Sequence, residues 1–385
     1  MTKKPNTVSW VPIYNIVSWI LFSSMLNYFS NSFCDKKWKS VLMGSIFSFQ
    51  MFIGVLCLAG IFLPNKYDLE DLISCLIIFF TEASIGLKAI TLIYHSASLK
   101  KLSEIIMKET SRTDLKPWEL KLAKNYKKYS EWILIKVLIL YDLTMVSFIG
   151  APLFSKKEYM MPILMEFPAT NSSTSLGFGI NYAFGAYSVF YGTTVEMGFD
   201  IPAFLQACFI SYQLDKCIHF CKMIGDFDSP YNTHDKQSKL LRKCVKLHAT
   251  IFKFINEVST INTFVVALTV ITIVPLLTVL LYSILMGTIS GAPFMMAACA
   301  YHLFMYCFLG EIVSNKCIEA SNAIYSSKWY KIEKPEDKRT IMIFLTISQC
   351  NMGFSAGGLY KLSLATFTEL TRRVYGACAF LQKVL

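Results

Sequence analysis

The chain has 385 residues, of which 54% are hydrophobic, 15% aromatic and 16% charged, and its net charge is +11. Roughly a quarter of the residues of a soluble chain are charged, so this composition indicates a protein that crosses a membrane several times. The basic residues lie between apolar runs and not in one basic domain, which argues against nucleic acid as a partner.

The first apolar stretch, Trp10 to Phe29, follows Lys3 and Lys4 and is interrupted by several Asn and Ser residues. We interpret it as an amphipathic segment at the cytoplasmic interface of the membrane. The alternative is a cleaved signal peptide, but no small-x-small cleavage site precedes Cys34.

Seven apolar segments are long enough to cross the membrane, and a Gly-rich sequence breaks the last one in two. The predicted fold class is therefore an all-α membrane protein with seven transmembrane helices. The predicted spans are 39–63, 70–95, 130–154, 182–214, 260–289, 293–317, and 340–354 plus 361–384.

Most Lys and Arg residues lie before span one and after spans two, four and six, whereas the opposite loops contain only Lys66, Lys156 and Lys157. This asymmetry predicts a cytoplasmic N-terminus and an extracellular C-terminus. The sequon Asn171-Ser172-Ser173 lies between spans three and four, on the predicted outer side, which makes Asn171 a candidate for glycosylation.

Helical spacing continues beyond spans four, five and six, over 215–223, 239–260 and 311–325. Helices that extend beyond the bilayer must pack on each other or on partner copies, so we expect a cytoplasmic helical bundle. The predicted organisation is a cytoplasmic segment with an interfacial helix (1–38), a ligand-binding helical domain of spans one to four (39–214), a cytoplasmic extension (215–259), spans five and six (260–317), an anchor region with the first half of span seven (318–354), and a pore-lining half (355–385).

The cysteines and histidines form no recognisable catalytic or metal-binding motif. Cys217 and Cys221 share a helix face, but His219 between them points away and no second ligand pair follows. The chain lacks HExxH, a P-loop and a Ser/His/Asp order, and its twelve cysteines imply no disulfide framework. We therefore expect no metal, no cofactor and no enzymatic activity.

A G-protein-coupled receptor is an alternative for a chain with seven spans. Its orientation is opposite to the one predicted here, and it carries D-R-Y and N-P-x-x-Y sequences that are absent from this chain. No extracellular cysteine pair is available to tether span three. These differences argue against that class.

The outer halves of spans two, three, four and six are rich in aromatic, Met and hydroxyl side chains. Ordinary helix packing explains any one of these residues better, but the region as a whole favours a pocket for a small volatile or lipophilic ligand. Glu82 and Asp142 are further functional candidates because they are ionisable groups inside spans, although Lys88 or Lys136 could pair with them structurally. The predicted ligand-binding residues are Ile78, Phe79, Tyr141, Met145, Phe148, Tyr187, Tyr191, Thr194, Met295 and His302.

The last stretch, 351–385, carries two neighbouring helical stripes. One is apolar and consists of Phe367, Leu370, Val374, Cys378, Leu381 and Leu385. The other carries charge, which is costly in a membrane helix unless it faces protein or water, so we expect it to line a water-filled path. The alternatives are that Arg372 and Arg373 snorkel to the interface, or that Arg373 pairs with Glu369 one turn earlier. The expected water-facing residues are Thr366, Glu369, Arg373, Gly376, Phe380 and Val384.

Three stretches of the C-terminal third follow a specific pattern: AIYSSKWY at 323–330, AGGLY at 356–360 and LSLATF at 362–367. In these stretches the chain resembles the insect odorant receptor family. A gustatory receptor, the alternative of the same fold, has Thr-Tyr, five apolar residues and Gln-Phe in span seven, whereas here Val374-Tyr375, six residues and Gln382-Lys383 occur. The long cytoplasmic insertion of the shared co-receptor is also absent, which favours an odorant-tuning subunit.

The resemblance implies a ligand-gated, non-selective cation channel in the plasma membrane of sensory neurons, formed as a heterotetramer with the co-receptor. Its expected partners are a small volatile odorant, the co-receptor, membrane lipid and permeant cations. The family places the odorant in the outer halves of spans two, three, four and six, and the pore along the second half of span seven. The gate positions correspond to Phe380 and Val384, and Arg373 on the pore stripe departs from the co-receptor pattern.

Overall fold

The structure, a computed structural model, describes residues 8–23, 45, 48, 52, 69–154, 170, 174–227, 233–287, 292–350, 353–358 and 360–384. These residues are almost entirely α-helical, which confirms the predicted all-α class. In chain order the elements are α1 (Val11–Ser23), α2 (Leu69–Tyr94), α3 (Ser96–Thr110), α4 (Pro117–Phe154), α5 (Ser175–Lys222), α6 (His234–Met286), α7 (Ala292–Tyr325), a 3-10 turn (Trp329–Lys331), α8 (Pro335–Ser348), β1 (Ser355–Ala356), β2 (Tyr360–Lys361) and α9 (Leu364–Val384).

Four of the helices in these ranges are long and apolar enough to cross a membrane: α2, α4, α6 and α7. Helix α5 has 48 residues but carries Glu196 and Asp200 near its middle. Span one, predicted at 39–63, falls almost wholly outside the described residues, as does the predicted glycosylation site Asn171.

The predicted continuation of spans four, five and six as helices is confirmed, because α5 runs to Lys222, α6 begins at His234 and α7 ends at Tyr325. With 53 residues, α6 is about 80 Å long at 1.5 Å per residue, far more than the roughly 30 Å hydrocarbon core. Both ends of such a helix cannot lie inside one bilayer.

Helix α4 also begins much earlier than the predicted start at 130, since its Lys-rich first turns are helical from Pro117. The hydroxyl of Tyr126 donates to Asp215 Oδ2 over 2.7 Å, and Lys216 lies 3.8 Å from Glu119 Oε1. These polar contacts act together with an apolar stripe that includes Trp118, Leu122 and Ala123, so the Lys residues of this segment form the exposed face of a packed helix.

Helix α5 is the centre of the bundle. Every residue from Met197 to Leu214 is buried, and α5 packs against α1, α2, α4, α6 and α7. A helix that is buried on all sides must have neighbours all around it, which explains why the spans form one compact bundle around α5.

Helix α1 packs one face into this bundle. Trp10, Tyr14 and Leu21 are buried, and a Cβ added at Gly198 of α5 would lie 2.5 Å from Leu21 Cδ2. The position of this segment at the membrane interface stays a prediction, but the structure adds that the segment is anchored to α5.

The predicted break in span seven is confirmed. The first half is α8 and the second is α9, and a β1–β2 hairpin joins them around Gly357 and Gly358, whose φ angles are 62° and 73°. The amide of Gly357 donates to the carbonyl of Thr263 in α6 over 3.0 Å. A Cβ at Gly357 would lie 2.9 Å from Ala267 Cβ, whereas one at Gly358 would meet no atom within 4 Å.

Replacing Gly357 by Ala should therefore destabilise the protein more than replacing Gly358 by Ala. The Gly358→Ala variant carries only the cost of a left-handed backbone, about 1–2 kcal/mol, while Gly357→Ala adds the contact with Ala267. The measurement is the thermal unfolding midpoint of each purified variant in detergent. Equal midpoints would contradict close packing of the hairpin against α6.

Candidate ligand-binding site

A cavity of about 150 Å³ lies between α2, α4, α5, α6 and α7. It occupies the half of the bundle that is distant from the α5–α6 turn. Most of its wall is apolar, with Ile85, Ile273 and Leu276 among the lining residues, and a few hydroxyl and carboxyl groups complete it. An enclosed apolar cavity with few polar groups is the usual form of a small-molecule site.

A second space, of about 370 Å³, lies between α4, α5 and α7 nearer the α5–α6 turn. It is larger, but Asn125 and Tyr129 in its wall are exposed. It is therefore a groove at the protomer surface, and the enclosed cavity is the better candidate for a ligand.

Half of the predicted ligand-binding residues lie in the wall of the enclosed cavity, and half do not. Those in the wall are Ile78, Tyr141, Phe148, Met295 and His302. Those outside the lining are Phe79, Met145, Tyr187, Tyr191 and Thr194.

Helical phase explains the difference. On α5 the cavity is lined by Ser188, Gly192 and Glu196, spaced by four residues, and by Val189 and Thr193 beside them. Tyr187 and Tyr191 lie on the neighbouring face and stack on each other, with ring centroids 6.2 Å apart. We predicted the ligand-binding residues of α5 from its aromatic side chains, whereas the α5 residues that line the cavity are mainly small or polar.

Gly192 shows why a small residue belongs in this wall, because a Cβ there would lie 2.5 Å from Ile85 Cδ1 of α2. Ile273 and Leu276 show that α6 also contributes, which the sequence did not indicate. The four-residue spacing of Ser188, Gly192 and Glu196 was the one available signal for the α5 wall.

A buried polar network forms one side of the cavity, and its centre is the ammonium of Lys88. Its Nζ lies 2.8 Å from Asp200 Oδ1 and 3.0 Å from His302 Nε2, and it also donates to Glu196. The side chains of Lys88 and Asp200 are both 0% exposed. An ammonium has three protons, and three acceptor groups surround this one.

Two tyrosines complete the network. The hydroxyl of Tyr141 donates to Asp200 Oδ2 over 2.6 Å, and that of Tyr306 donates to Asp200 Oδ1 over 2.7 Å. The network thus joins α2, α4, α5 and α7 at one level. Because Tyr141 and His302 also line the cavity, a ligand there would touch the network directly.

The alternative pairing of Glu82 or Asp142 with Lys88 is wrong, because Lys88 pairs with Glu196 and Asp200. Glu82 lines the cavity and accepts a hydrogen bond from Ser188 Oγ over 3.2 Å. Asp142 is exposed on α4, outside the cavity. Lys136 is exposed too, with its ammonium 5.5 Å from the ring centroid of Trp132.

Glu196, Asp200 and His302 place their ligand atoms within 4.8 Å of one another, a spacing that a metal ion could use. The ammonium of Lys88 already lies among these groups and supplies the positive charge. We therefore interpret the cluster as an ion-pair network.

The Cys217 and Cys221 thiols lie 4.0 Å apart, and the ring of His219 stacks on Trp118 at 3.8 Å between centroids. Burial lowers the pKa of His219, which favours its neutral imidazole. His219 packs as an aromatic ring against α4, away from the two thiols.

The two stripes of α9 differ in burial as their composition predicts. Leu370, Val374 and Cys378 are buried, whereas Phe380 on the other stripe is 65% exposed. Within the charged stripe, Arg373 Nη2 lies 2.5 Å from Glu369 Oε1, so the i, i+4 pair exists. The side chain of Val384 lies outside the described set, and the pore assignment stays a prediction.

Replacing Lys88 by Met should lower the free energy of unfolding by at least about 3 kcal/mol, because two buried carboxylates lose their cation. The matched control is Lys136→Met, which removes an exposed ammonium. The measurement is the unfolding midpoint and yield of purified protein. If both variants behave alike, the network does not hold the helices together.

Comparisons with known proteins agree with this fold. The family model for the 7tm odorant receptors matches residues 68–375. Odorant receptor Or1 of Anopheles gambiae is 19% identical over 84% of both chains, and odorant receptor 82a of Drosophila melanogaster is 23% identical over 83% of this chain and 86% of its own.

Among solved structures, the insect olfactory receptor OR5 from Machilis hrabei superposes with a TM-score of 0.83 at 14% identity, covering 97% of this chain and 98% of its own. Its complex with eugenol superposes with a TM-score of 0.82. These likenesses show the seven-helix membrane fold, and the family is one of receptors and not of enzymes. The chain is a multi-pass membrane protein that belongs to the 7tm odorant receptor family.

Proposed function

We propose that this protein is the odorant-tuning subunit of a ligand-gated, non-selective cation channel, assembled as a heterotetramer with a shared co-receptor in the plasma membrane of sensory neurons. The observation that carries the proposal is the enclosed cavity, which borders a buried network joining four helices. Membership in the odorant receptor family supports it. So does the fold shared with OR5, which is known in complex with eugenol.

The cavity sets the size of the ligand. A space of about 150 Å³ accommodates roughly a benzene-sized molecule. Apolar side chains such as Phe148 and Met295 would hold it by dispersion, and Tyr141 and Thr144 offer hydroxyl groups for a hydrogen bond. This suits a small volatile organic compound.

Helix α7 connects the cavity to α9. It contributes Met295 and His302 to the cavity wall. Two residues after His302, the ring of Phe304 meets Phe367 of α9 edge to face at 5.5 Å, and a Cβ at Gly310 would lie 2.5 Å from Leu362. A ligand that favours one position of α7 would therefore bias the position of α9, which is a population shift.

In this proposal the exposed stripe of α9 lines the central pore, and Phe380 and Val384 form a dewetted constriction near its outer end. The N-terminus is cytoplasmic and Asn171 extracellular. The extensions of α5, α6 and α7, including residues 215–259, form a cytoplasmic bundle that packs on itself or on partner copies. Residues 318–354 form the anchor region and the first half of span seven.

Expression with and without a co-receptor tests the channel. We expect odorant-evoked cation current only from the pair, and this current should persist without GTP. Ala298→Phe should abolish the odorant response and leave basal current unchanged, because Ala298 lines the cavity. Ala297→Phe is the matched control, since Ala297 is exposed on the same helix. Current that requires a G protein would refute the channel.

Phe380→Ala should raise basal current or change the ratio of cation permeabilities, because it widens the proposed constriction. Tyr375→Ala is the control, since Tyr375 is 72% exposed but projects from a different side of α9. Voltage-clamp recording of reversal potentials with Na⁺ and a larger organic cation outside gives the answer. If the two variants have the same basal current and permeability ratios, the assignment of Phe380 to the gate is contradicted.

A further inference from the structure

The surface groove between α4, α5 and α7 has an apolar part and a polar end. Ala207 and Cys208 of α5 and Leu309 of α7 line the apolar part, while Asn125 of α4 and Ser211 of α5 lie nearer the α5–α6 turn. Its volume of about 370 Å³ is more than twice that of the enclosed cavity. Because an apolar surface in contact with water is unfavourable, a groove of this kind on a membrane protein suits a hydrocarbon chain.

The Lys-rich start of α4 borders the polar end of the groove. Lys121 lies one turn before Asn125 and Lys128 nearly one turn after it, so both are neighbours of Asn125 on the helix surface. Lys121, Lys124 and Lys128 are exposed. Lys127 has Glu131 at 3.7 Å, whereas no carboxylate of the described residues forms an ion pair with the other three lysines.

The acidic groups at this end are already paired, and they do not cancel the lysines. Lys316 Nζ of α7 lies 2.9 Å from Asp215 Oδ1 and 2.8 Å from Glu319 Oε2, and Tyr126 donates to Asp215 Oδ2. This cluster keeps one negative charge, against the three exposed lysines of α4. The end of the groove is therefore basic.

Two exposed aromatic rings show that this level of α4 suits the membrane surface. Tyr129, which lines the groove, stacks on Trp132 with 6.3 Å between ring centroids, and the ammonium of Lys136 lies 5.5 Å from the Trp132 centroid. Tyr, Trp and Lys side chains collect where the hydrocarbon meets the head groups. Lipid head groups would lie beside Lys121 and Lys128 at this level.

We propose that this groove binds one anionic phospholipid. The lysines at the polar end hold the phosphate and head group through charge-assisted hydrogen bonds, and Asn125 adds an amide donor. One acyl chain lies in the groove against Cys208 and Leu309. The proposed cytoplasmic orientation of this end matches the leaflet in which anionic lipids are concentrated. The site is distinct from the enclosed cavity and needs no odorant and no channel activity.

A lipid titration of the purified full chain tests the charge. Phosphatidylserine and phosphatidylcholine with identical acyl chains are added to the protein in detergent, and bound lipid is counted by native mass spectrometry. We expect one phosphatidylserine per chain, bound in preference to phosphatidylcholine. Lys121→Gln combined with Lys128→Gln should weaken its binding on the order of 25-fold, about fivefold for each lysine.

The control for charge is Lys239→Gln combined with Lys246→Gln, which removes two exposed lysines of α6 outside the groove. It should leave the preference for phosphatidylserine unchanged. Equal binding of the two lipids, or equal loss in both double variants, would overturn the proposal. Loss of the preference in the complex with co-receptor would overturn it too, because a neighbouring subunit would then cover the groove.

A filled groove tests the acyl chain. Ile312→Trp places a large ring in the groove wall and should remove phosphatidylserine binding while all the lysines remain. Ile318→Trp, at a residue that is 51% exposed on the same helix, is the control. Glycerophosphoserine, which has the same head group without chains, should bind at least about tenfold more weakly than phosphatidylserine. Equal binding of these two compounds, or unchanged binding to a folded Ile312→Trp variant, would refute the groove as the lipid site.

Discussion

The contact on which the structure depends is the ammonium of Lys88 between Asp200 and Glu196. A charge buried in a low-dielectric interior is tolerable only with partners of opposite charge and full hydrogen bonding. Here the partners come from α5, and Tyr141 of α4 and Tyr306 of α7 donate hydrogen bonds to the Asp200 carboxylate, while His302 of α7 contacts the ammonium. Four helices must therefore meet at one level, since sliding any of them by a turn would leave a charge or a hydroxyl without its partner.

The network also explains why α5 is central. A membrane helix with two carboxylates near its middle cannot face lipid with that stretch, so the stretch has to be enclosed by protein. The cavity then lies beside the network, where Ser188 and Gly192 line its wall and the absence of a side chain at Gly192 lets Ile85 of α2 approach α5 closely. The same polar residues that position the helices provide polar groups of the candidate ligand site.

The end of the chain follows a different constraint. The hairpin at Gly357 fixes the start of α9 on α6, and Phe304 and Gly310 fix it on α7. From there the stripe that includes Leu370, Val374 and Cys378 packs on the described part of the protomer. The neighbouring stripe, with the Glu369–Arg373 pair, is exposed. A helix with one packed and one exposed stripe fits the proposed position of α9 beside a water-filled pore on an axis shared with other subunits.

The sequence alone determined the properties that depend on composition and local spacing. Apolar length predicted the spans, helical periodicity predicted the extensions of α5, α6 and α7, and two glycines predicted the break in the last span. The three stretches at 323–330, 356–360 and 362–367 indicated the family. These features are local, because each follows from residues that are near one another in the chain.

Only the tertiary structure decided which face of each helix meets which neighbour. The Lys-rich start of α4 is a helix that packs on α5 through the contact of Tyr126 with Asp215. Lys88 pairs with Asp200, which is 112 residues away in the chain. In the structure Ser188 and Gly192 line the cavity, whereas the predicted Tyr187 and Tyr191 do not. A rotation of about 100° per residue separates those faces, and the contacts that select one face come from other helices, so no local pattern contains them.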